Sequence, residues 1–307
     1  MMDIMDAPLV SVITVTYNRG NLLGRCMRSV LNQTYENIEY ILVDSGSTDN
    51  SKEVVEGFEN DKRLRYIRLD ENRNNFLNYN YGASLARGKY ITYLDSDDEY
   101  LPDKIEKQVK QIEKLPEEYG MVYCWMTYFD SSNNNAIDHI HKTELKGYVP
   151  LEASIKPCVS GTPTLLIRKS AFWKCGGFDE KSKMTSDWEF CARFCHKWKV
   201  DYLPESLVNV YINHEYERLS AKMRYDKTYL KNRIALHEHF LKEFKDTYDS
   251  QKGSCWYHYK SLAFFCAKDW DIIKGIKYFI LYIDSVAIVF FRELLHCVNK
   301  DKKNGGF

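Results

Sequence analysis

The chain opens on a run in which apolar and β-branched residues leave almost no polar break. Leu9 to Asn18 reads LVSVITVTYN, the pattern of a strand buried on both faces. Behind it, Asn21 to Asn32 spaces Leu22, Leu23, Met27, Val30 and Leu31 at helical intervals. IEYILVD (Ile38 to Asp44) predicts a second strand, followed by a turn-rich SGSTDNS and a helix near Glu53 to Phe58. RLRYIRL (Arg63 to Leu69) predicts a third strand, Asn78 to Ala86 a third helix, and GKYITYLD (Gly88 to Asp95) a fourth strand. Strands alternating with short helices mean crossover units and a mainly parallel α/β sheet.

After Pro102 the pattern changes. Pro102 to Lys114 predicts an amphipathic helix and Gly120 to Phe129 another strand, whereas Ser131 to Lys142 is polar and reads as a loop. Thr162 to Glu180 runs from a strand through a short helix into a Gly-Gly turn. Thr185 to Trp198 opens a helix, and Val200 to Ile212 holds two short strands. From about Ala221 onward everything reads helical.

Composition narrows the function classes. The 307 residues suit one large domain or a domain plus an extension. Lys plus Arg and Asp plus Glu both total 43, which excludes a generally basic nucleic-acid coat; no nucleic-acid partner is expected. Nine Cys at irregular spacings, with no CxxC pair, point to a reducing, cytoplasmic compartment. The start, MMDIMDAPLV, lacks the basic residues of an export signal, so the chain is expected to stay inside the cell. Tyr278 to Phe291 is apolar except for Asp284 and Ser285. As a helix this segment reaches only about 21 Å, short of the roughly 30 Å hydrocarbon core, so no span is expected.

The polar residues sit where such a sheet puts ligands. Thr16, Tyr17 and Asn18 end the first strand, Asp44 the second and Asp95 the fourth, and parallel strands share one carboxyl edge. The strongest chemical signal is Asp95-Ser96-Asp97-Asp98. In an extended segment Asp95 and Asp97 fall on the same side, where a hard divalent cation relieves their repulsion and a diphosphate completes its coordination. Asp187 and Glu189 form a second acidic group with two readings. Ser186 and Glu189 have the spacing of a capping box, with Asp187 on the helix dipole; alternatively a carboxylate at a helix start serves as a general base. Cys191 and Cys195, one helical turn apart, read as buried structural thiols, and His237 as a core histidine. Trp173 and Trp188 read either as core or as a platform for an acceptor.

Taken together, VSVITVTYNR, ILVDSGSTDNS, NYNYGASLARGKYITYLDSDDEYLPDKIEKQ, GGFDE and SDWEFCARF, in that order, resemble the family 2 glycosyltransferases over about Leu9 to Ser220. The resemblance implies the GT-A nucleotide-diphospho-sugar transferase fold, a Rossmann-like, mainly parallel sheet. It implies a catalytic domain over residues 1–220, with a nucleotide-sugar half to about residue 100 and an acceptor half beyond it, and a C-terminal helical region over 221–307. Thr16, Tyr17, Asn18 and Asp44 would then line the nucleoside pocket, with Asp44 facing uracil. Asp95 and Ser96 would lie near the ribose and Asn80 near the donor. Asp97 would bind Mn2+ or Mg2+ on the diphosphate, His214 would be either a further metal ligand or a surface histidine, and Asp187 would be the catalytic base. The chain departs from the family pattern at Val15, where Pro is usual, at Ser186, where Glu is common, and in NRNNFLNYN, which replaces a Gly-rich stretch.

The reaction so implied is metal-dependent, inverting transfer from a UDP-sugar to a glycan or lipid-linked glycan in bacterial surface-polysaccharide or glycoconjugate synthesis. The alternatives are transfer to a polyprenyl phosphate and a non-catalytic nucleotide-sugar or glycan binder of the same fold. The last helix divides into polar and apolar halves. That pattern suits packing on the protein, a homodimer face, or peripheral contact with the inner face of a membrane.

Overall fold

The computed structural model describes residues 7–131, 135–157, 161–180, 186–212 and 227–304. The chain divides into two compact units, one of Met1–Val149 with Pro157–Glu217, the other of Pro150–Lys156 with Arg218–Phe307.

In the first unit β1 (Val10–Thr16), α1 (Gly20–Leu31), β2 (Ile38–Asp44), α2 (Ser51–Glu56), β3 (Leu64–Arg68), α3 (Asn75–Leu85) and β4 (Tyr90–Tyr93) follow in the predicted order. β1, β2 and β4 are buried along their whole length, as their unbroken apolar runs require. α1 covers one face, setting Leu23, Cys26, Met27 and Val30 against Val10, Val12, Tyr40 and Leu42. α3 covers the other, and Gly82 brings its backbone so close that a Cβ would lie 2.6 Å from Ile13 Cγ2. Each aliphatic chain buried in this way contributes about 1.5–3 kcal/mol. All three pairings in the order β3-β2-β1-β4 are parallel, with Thr16 opposite Asp44 and Ile13 opposite Tyr93.

β5 (Glu99–Tyr100), α4 (Lys104–Ile112), β6 (Tyr119–Asp130), β7 (Asn135–His141) and, in the second unit, α5 (Pro150–Ile155) come next. β8 (Leu165–Arg168), α6 (Lys169–Lys174), α7 (Ser186–Cys195) and β9 (Lys199–Ile212) complete the first unit, extending the sheet as β4-β8-β6-β9-β5. Two elements differ from expectation. The polar stretch read as a loop contains β7, antiparallel to β6 through pairs such as Thr127 with Ile140. An edge strand draws its hydrogen bonds from its neighbour's backbone and needs no buried apolar face. Val200 to Ile212 forms one strand instead of two. The register against β6 jumps between Leu203 and Ser206, so a bulge absorbs Pro204 and Glu205 without ending the strand.

The second unit consists of α5, α8 (Lys227–Glu243), α9 (Lys245–Ser250), α10 (Trp256–Lys268) and α11 (Ile272–Asn304). Ile234, Leu262 and Cys266 form its apolar centre, with Leu241, Phe265 and Tyr278 packed around them. A polar network joins four of the helices. Ser154 O accepts from Tyr248 OH at 3.0 Å and meets His258 Nε2 at 2.9 Å, and His258 Nδ1 lies 2.9 Å from His237 Nδ1. The carbonyls of the last turn of a helix lack partners within it, which is how α5 comes to belong with helices so far along the chain. Among the described residues no helix is long and apolar enough to cross a membrane.

Candidate active site

The order β3-β2-β1-β4 places a topological switch point between β1 and β4, the crevice at which open α/β sheets bind ligands outside their carboxyl ends. Three short segments meet there: residues 16–19, 44–51 and 95–98.

On the β2 side, Asp44 is fully buried. One carboxylate oxygen accepts from Ser47 N at 2.8 Å and the other from Tyr66 OH at 2.6 Å, with Arg68 Nε at 3.9 Å. The β1 end grips the same loop. Asn18, at a φ of 51° that its short side chain tolerates, accepts from Thr48 N at 2.8 Å and donates its own N–H to Ser47 Oγ at 2.9 Å. Asp49 accepts from Gly20 N at 2.9 Å, and a Cβ on Gly20 would come within 2.1 Å of Asn50 Oδ1, so any larger residue at this helix start must displace the Asn50 side chain. Thr16 Oγ1 is buried with no hydrogen-bond partner among the described residues, the condition of a group awaiting a ligand. Tyr17 stands 39% exposed beside it.

On the β4 side the expected extended segment does not form. Leu94 N still bonds Ile13 O, but Asp98 N then bonds Asp95 O at 3.0 Å, closing a turn. Asp95 and Asp97 accordingly have different partners. Asp95 accepts from Tyr79 OH. Burial first, and then the Asp95 charge, hold the Tyr79 phenol well above its ordinary value, so it stays protonated and donates. Asp97 accepts from Arg19 Nη1 at 2.7 Å, a bridge that crosses the switch-point crevice from the end of β1. Arg25 donates to the Asp97 carbonyl at 2.6 Å while its guanidinium carbon lies 3.4 Å from the Tyr211 ring centroid. Ser96 is buried within the turn, and Asp98 Oδ1 accepts from Tyr211 N at 3.1 Å, fastening the end of β9. His214 lies outside the described residues.

Asp187 is in the first turn of α7, its Oδ1 accepting from Trp188 N at 2.8 Å. The helix that carries it is held from behind. Buried Glu189 pairs with Arg193, which also donates to Gly177 O at 2.9 Å. Phe178 then packs on Phe190 of α7 at 4.9 Å, Tyr93 of β4 at 5.2 Å and Tyr79 of α3 at 6.0 Å between centroids. One aromatic cluster thus links α7, which carries Asp187, with Tyr79, the donor to Asp95. Asn80 belongs to it: its amide accepts from Phe178 N at 3.0 Å and donates to Phe178 O at 2.9 Å and Glu180 Oε1 at 3.0 Å. Gly177, at a φ of 68°, leaves room for that contact; a Cβ there would lie 2.8 Å from Asn80 Oδ1. Trp188 is buried, whereas Trp173 is 41% exposed.

Arg19, Arg25, Tyr79 and Tyr211 escaped the sequence reading. Arg19 had a signal, a cation one residue beyond TYN on the ligand edge. The other three act across the fold, at spacings no linear motif reveals. Asp97 fits a hard divalent ion shared with a diphosphate. Such ions take one or two carboxylates and complete their shell with phosphate oxygens and water, and here a guanidinium already places positive charge on that oxygen. Among the described residues no group of three or more His, Cys, Asp or Glu is arranged to hold an ion by itself.

The model of the glycosyl transferase family 2 matches residues 11–176. An uncharacterised glycosyltransferase of Rickettsia typhi is 30% identical over 303 residues, spanning 96% of this chain and 92% of its own. One from Methanocaldococcus jannaschii is 30% identical over 208 residues, 66% of this chain and 71% of the relative. Among solved structures, S. aureus TarS 1–349 in complex with UDP-GlcNAc superposes with a TM-score of 0.63 at 17% identity, covering 88% of this chain and 91% of that one. The mannosyltransferase PcManGT from Pyrobaculum calidifontis, in complex with GDP-Man and Mn2+, gives 0.59 at 16% identity over 95% and 81%.

Proposed function

The chain belongs to glycosyl transferase family 2 and has the GT-A fold, and on that footing we propose that it moves a sugar from a UDP-sugar to a hydroxyl of a glycan or lipid-linked glycan, with inversion at the anomeric carbon. The observation that carries the reading is the Arg19–Asp97 bridge across the β1–β4 switch point, flanked by Thr16 and Asp44. The structural neighbours with UDP-GlcNAc and with GDP-Man and Mn2+ support a nucleotide-sugar donor and a divalent ion. Residues 1–220 are the catalytic domain in this reading, and 221–307 a helical region.

Asp44 and Thr16 hold the nucleoside, Asp95 and Ser96 the ribose, and Asp97 the ion. When bound, that ion supplies positive charge to the departing diphosphate. Arg19 gives up Asp97 and turns its own charge to the same phosphates. Asp187 takes the proton from the acceptor hydroxyl as that oxygen attacks in line; the sugar–phosphate bond breaks and the diphosphate leaves with its electron pair. A single displacement inverts the centre and needs no covalent enzyme intermediate.

Thermal shift with UDP, GDP, CDP and TDP, each with and without Mn2+, tests the pocket. Ligand at about 100 times its dissociation constant adds about 2.7 kcal/mol, a shift of a few degrees for a chain of this size. The reading predicts a Mn2+-dependent shift with UDP that is lost in Asp97→Ala. A shift with another nucleotide alone would move the donor class, and no shift at all would contradict the reading.

A further inference from the structure

The apolar positions of α11 do not all face its own unit. Tyr278, Ser285 and Val289 turn toward the neighbouring helix and loop, as does Gly275, where a Cβ would lie 3.5 Å from Ala263 O. On the other side Ile272, Ile276, Phe279, Ile283, Val286 and Phe290 stand exposed. Their spacing alternates four and three residues, one continuous stripe about 27 Å long. Ile273 and Ile280 widen it, and Ile273 is 85% exposed. Phe264 carries the surface onto α10, across a shallow apolar groove of about 440 Å³ whose floor includes Ala263, Ala267 and Gly275. An apolar face of this extent marks an interaction site.

Three features say what covers it. The face is too wide for a coiled-coil seam, because the positions flanking the stripe are Ile273, Ile280 and Ala287 on one side and Gly275, Tyr282 and Val289 on the other. A seam carries partner-selecting charges at those places. The border carries an excess of cations. Lys260, Lys268 and Lys277 are exposed around the patch against Asp271 and Asp284, and from Lys260 to the last residue eight Lys or Arg oppose five Asp or Glu, in a chain whose total charge is zero. Two copies meeting through this face would bring like charges together, whereas anionic headgroups complement them. At the turn between the helices Trp270 is 87% exposed at a φ of 63°, an indole presented outward at the end of the patch, as interfacial belts use it.

We infer that the α10–α11 hairpin is a lipid-docking element, lying in the plane of an anionic bilayer with its Ile and Phe side chains below the headgroups and its lysines among the phosphates. The inference stands on the helical unit alone and is independent of the transfer reaction.

The test is co-flotation of the full chain with vesicles of phosphatidylcholine alone or with one-quarter phosphatidylglycerol, without nucleotide or sugar. The wild type floats with the anionic vesicles, and at least tenfold less protein floats with the neutral ones or in half-molar salt. The variant Ile273→Asp/Phe279→Asp changes only exposed positions; it stays at the bottom of the gradient while its melting temperature and mass by light scattering match the wild type. Failure of the wild type to float, or equal flotation of the variant, overturns the inference. So does a wild-type dimer that the variant converts to monomer without any flotation, which would assign the face to a second copy.

Discussion

Lys104 lies in the interior beneath β4, its ammonium donating to Thr92 Oγ1 at 2.9 Å and resting 3.9 Å from the Tyr100 ring centroid. Burial pushes its pKa down from 10.5 to about 7. The unfolded chain therefore binds this proton across the window between those values, and stability is lost as pH falls through it. Lys104→Met removes that loss. The melting temperature of the variant relative to wild type should rise as pH drops from 10.5 to 7 and level off below, with a gain on the order of a few kcal/mol. A difference that stays flat with pH would refute this. The same scale shows what a sequence tells and withholds. That Asp95, Asp97 and Asp98 crowd the end of β4 was legible in the order of residues. That Asp97 meets Arg19 and Asp95 meets Tyr79 was not, because a turn replaces the extended segment and each partner arrives from a different element.

At the scale of elements, β1, β2 and β4 were legible because each is buried on both faces and so must be apolar almost without interruption, whereas β3 is only partly buried and carries two arginines. β7 was not, since an edge strand is written in backbone hydrogen bonds. Nor was the membership of α5 in the helical unit, where the Ser154 carbonyl meets Tyr248 and His258. The network at that carbonyl makes a prediction. His258 and His237 are held well below their ordinary values by burial. For His237 the neighbouring His258 comes next and Arg233 adds to the effect; for His258 the Ser154 carbonyl works in the opposite direction and Arg233 lowers it further. Phe240, Tyr248, Tyr257 and Phe265 pack around the pair. Both histidines stay neutral in the fold, and their contribution is present above about pH 6.5 and lost below it. Circular dichroism melts from pH 7 to 4.5 should show helical stability falling with pH, and His237→Phe should shallow that slope. An unchanged slope in the variant would contradict the assignment.

At the scale of the whole molecule, each unit carries one half of the account: the sheet unit the proposed chemistry and the helical unit the proposed docking surface. The ligand edge of the sheet was legible because it follows from strand order. The role proposed for Asp187 was not, because a carboxylate in a first turn is equally a helix-dipole partner. That ambiguity is the point to test. Calorimetric titration of UDP with Mn2+, paired with nucleotide release from UDP-sugars in the presence of simple glycosides, should be run on wild type and Asp187→Asn. The account predicts UDP affinity unchanged within about twofold and release lowered by about 10²–10⁴-fold, the contribution of a general base. Release equal to wild type, or affinity and release lost together, would contradict it.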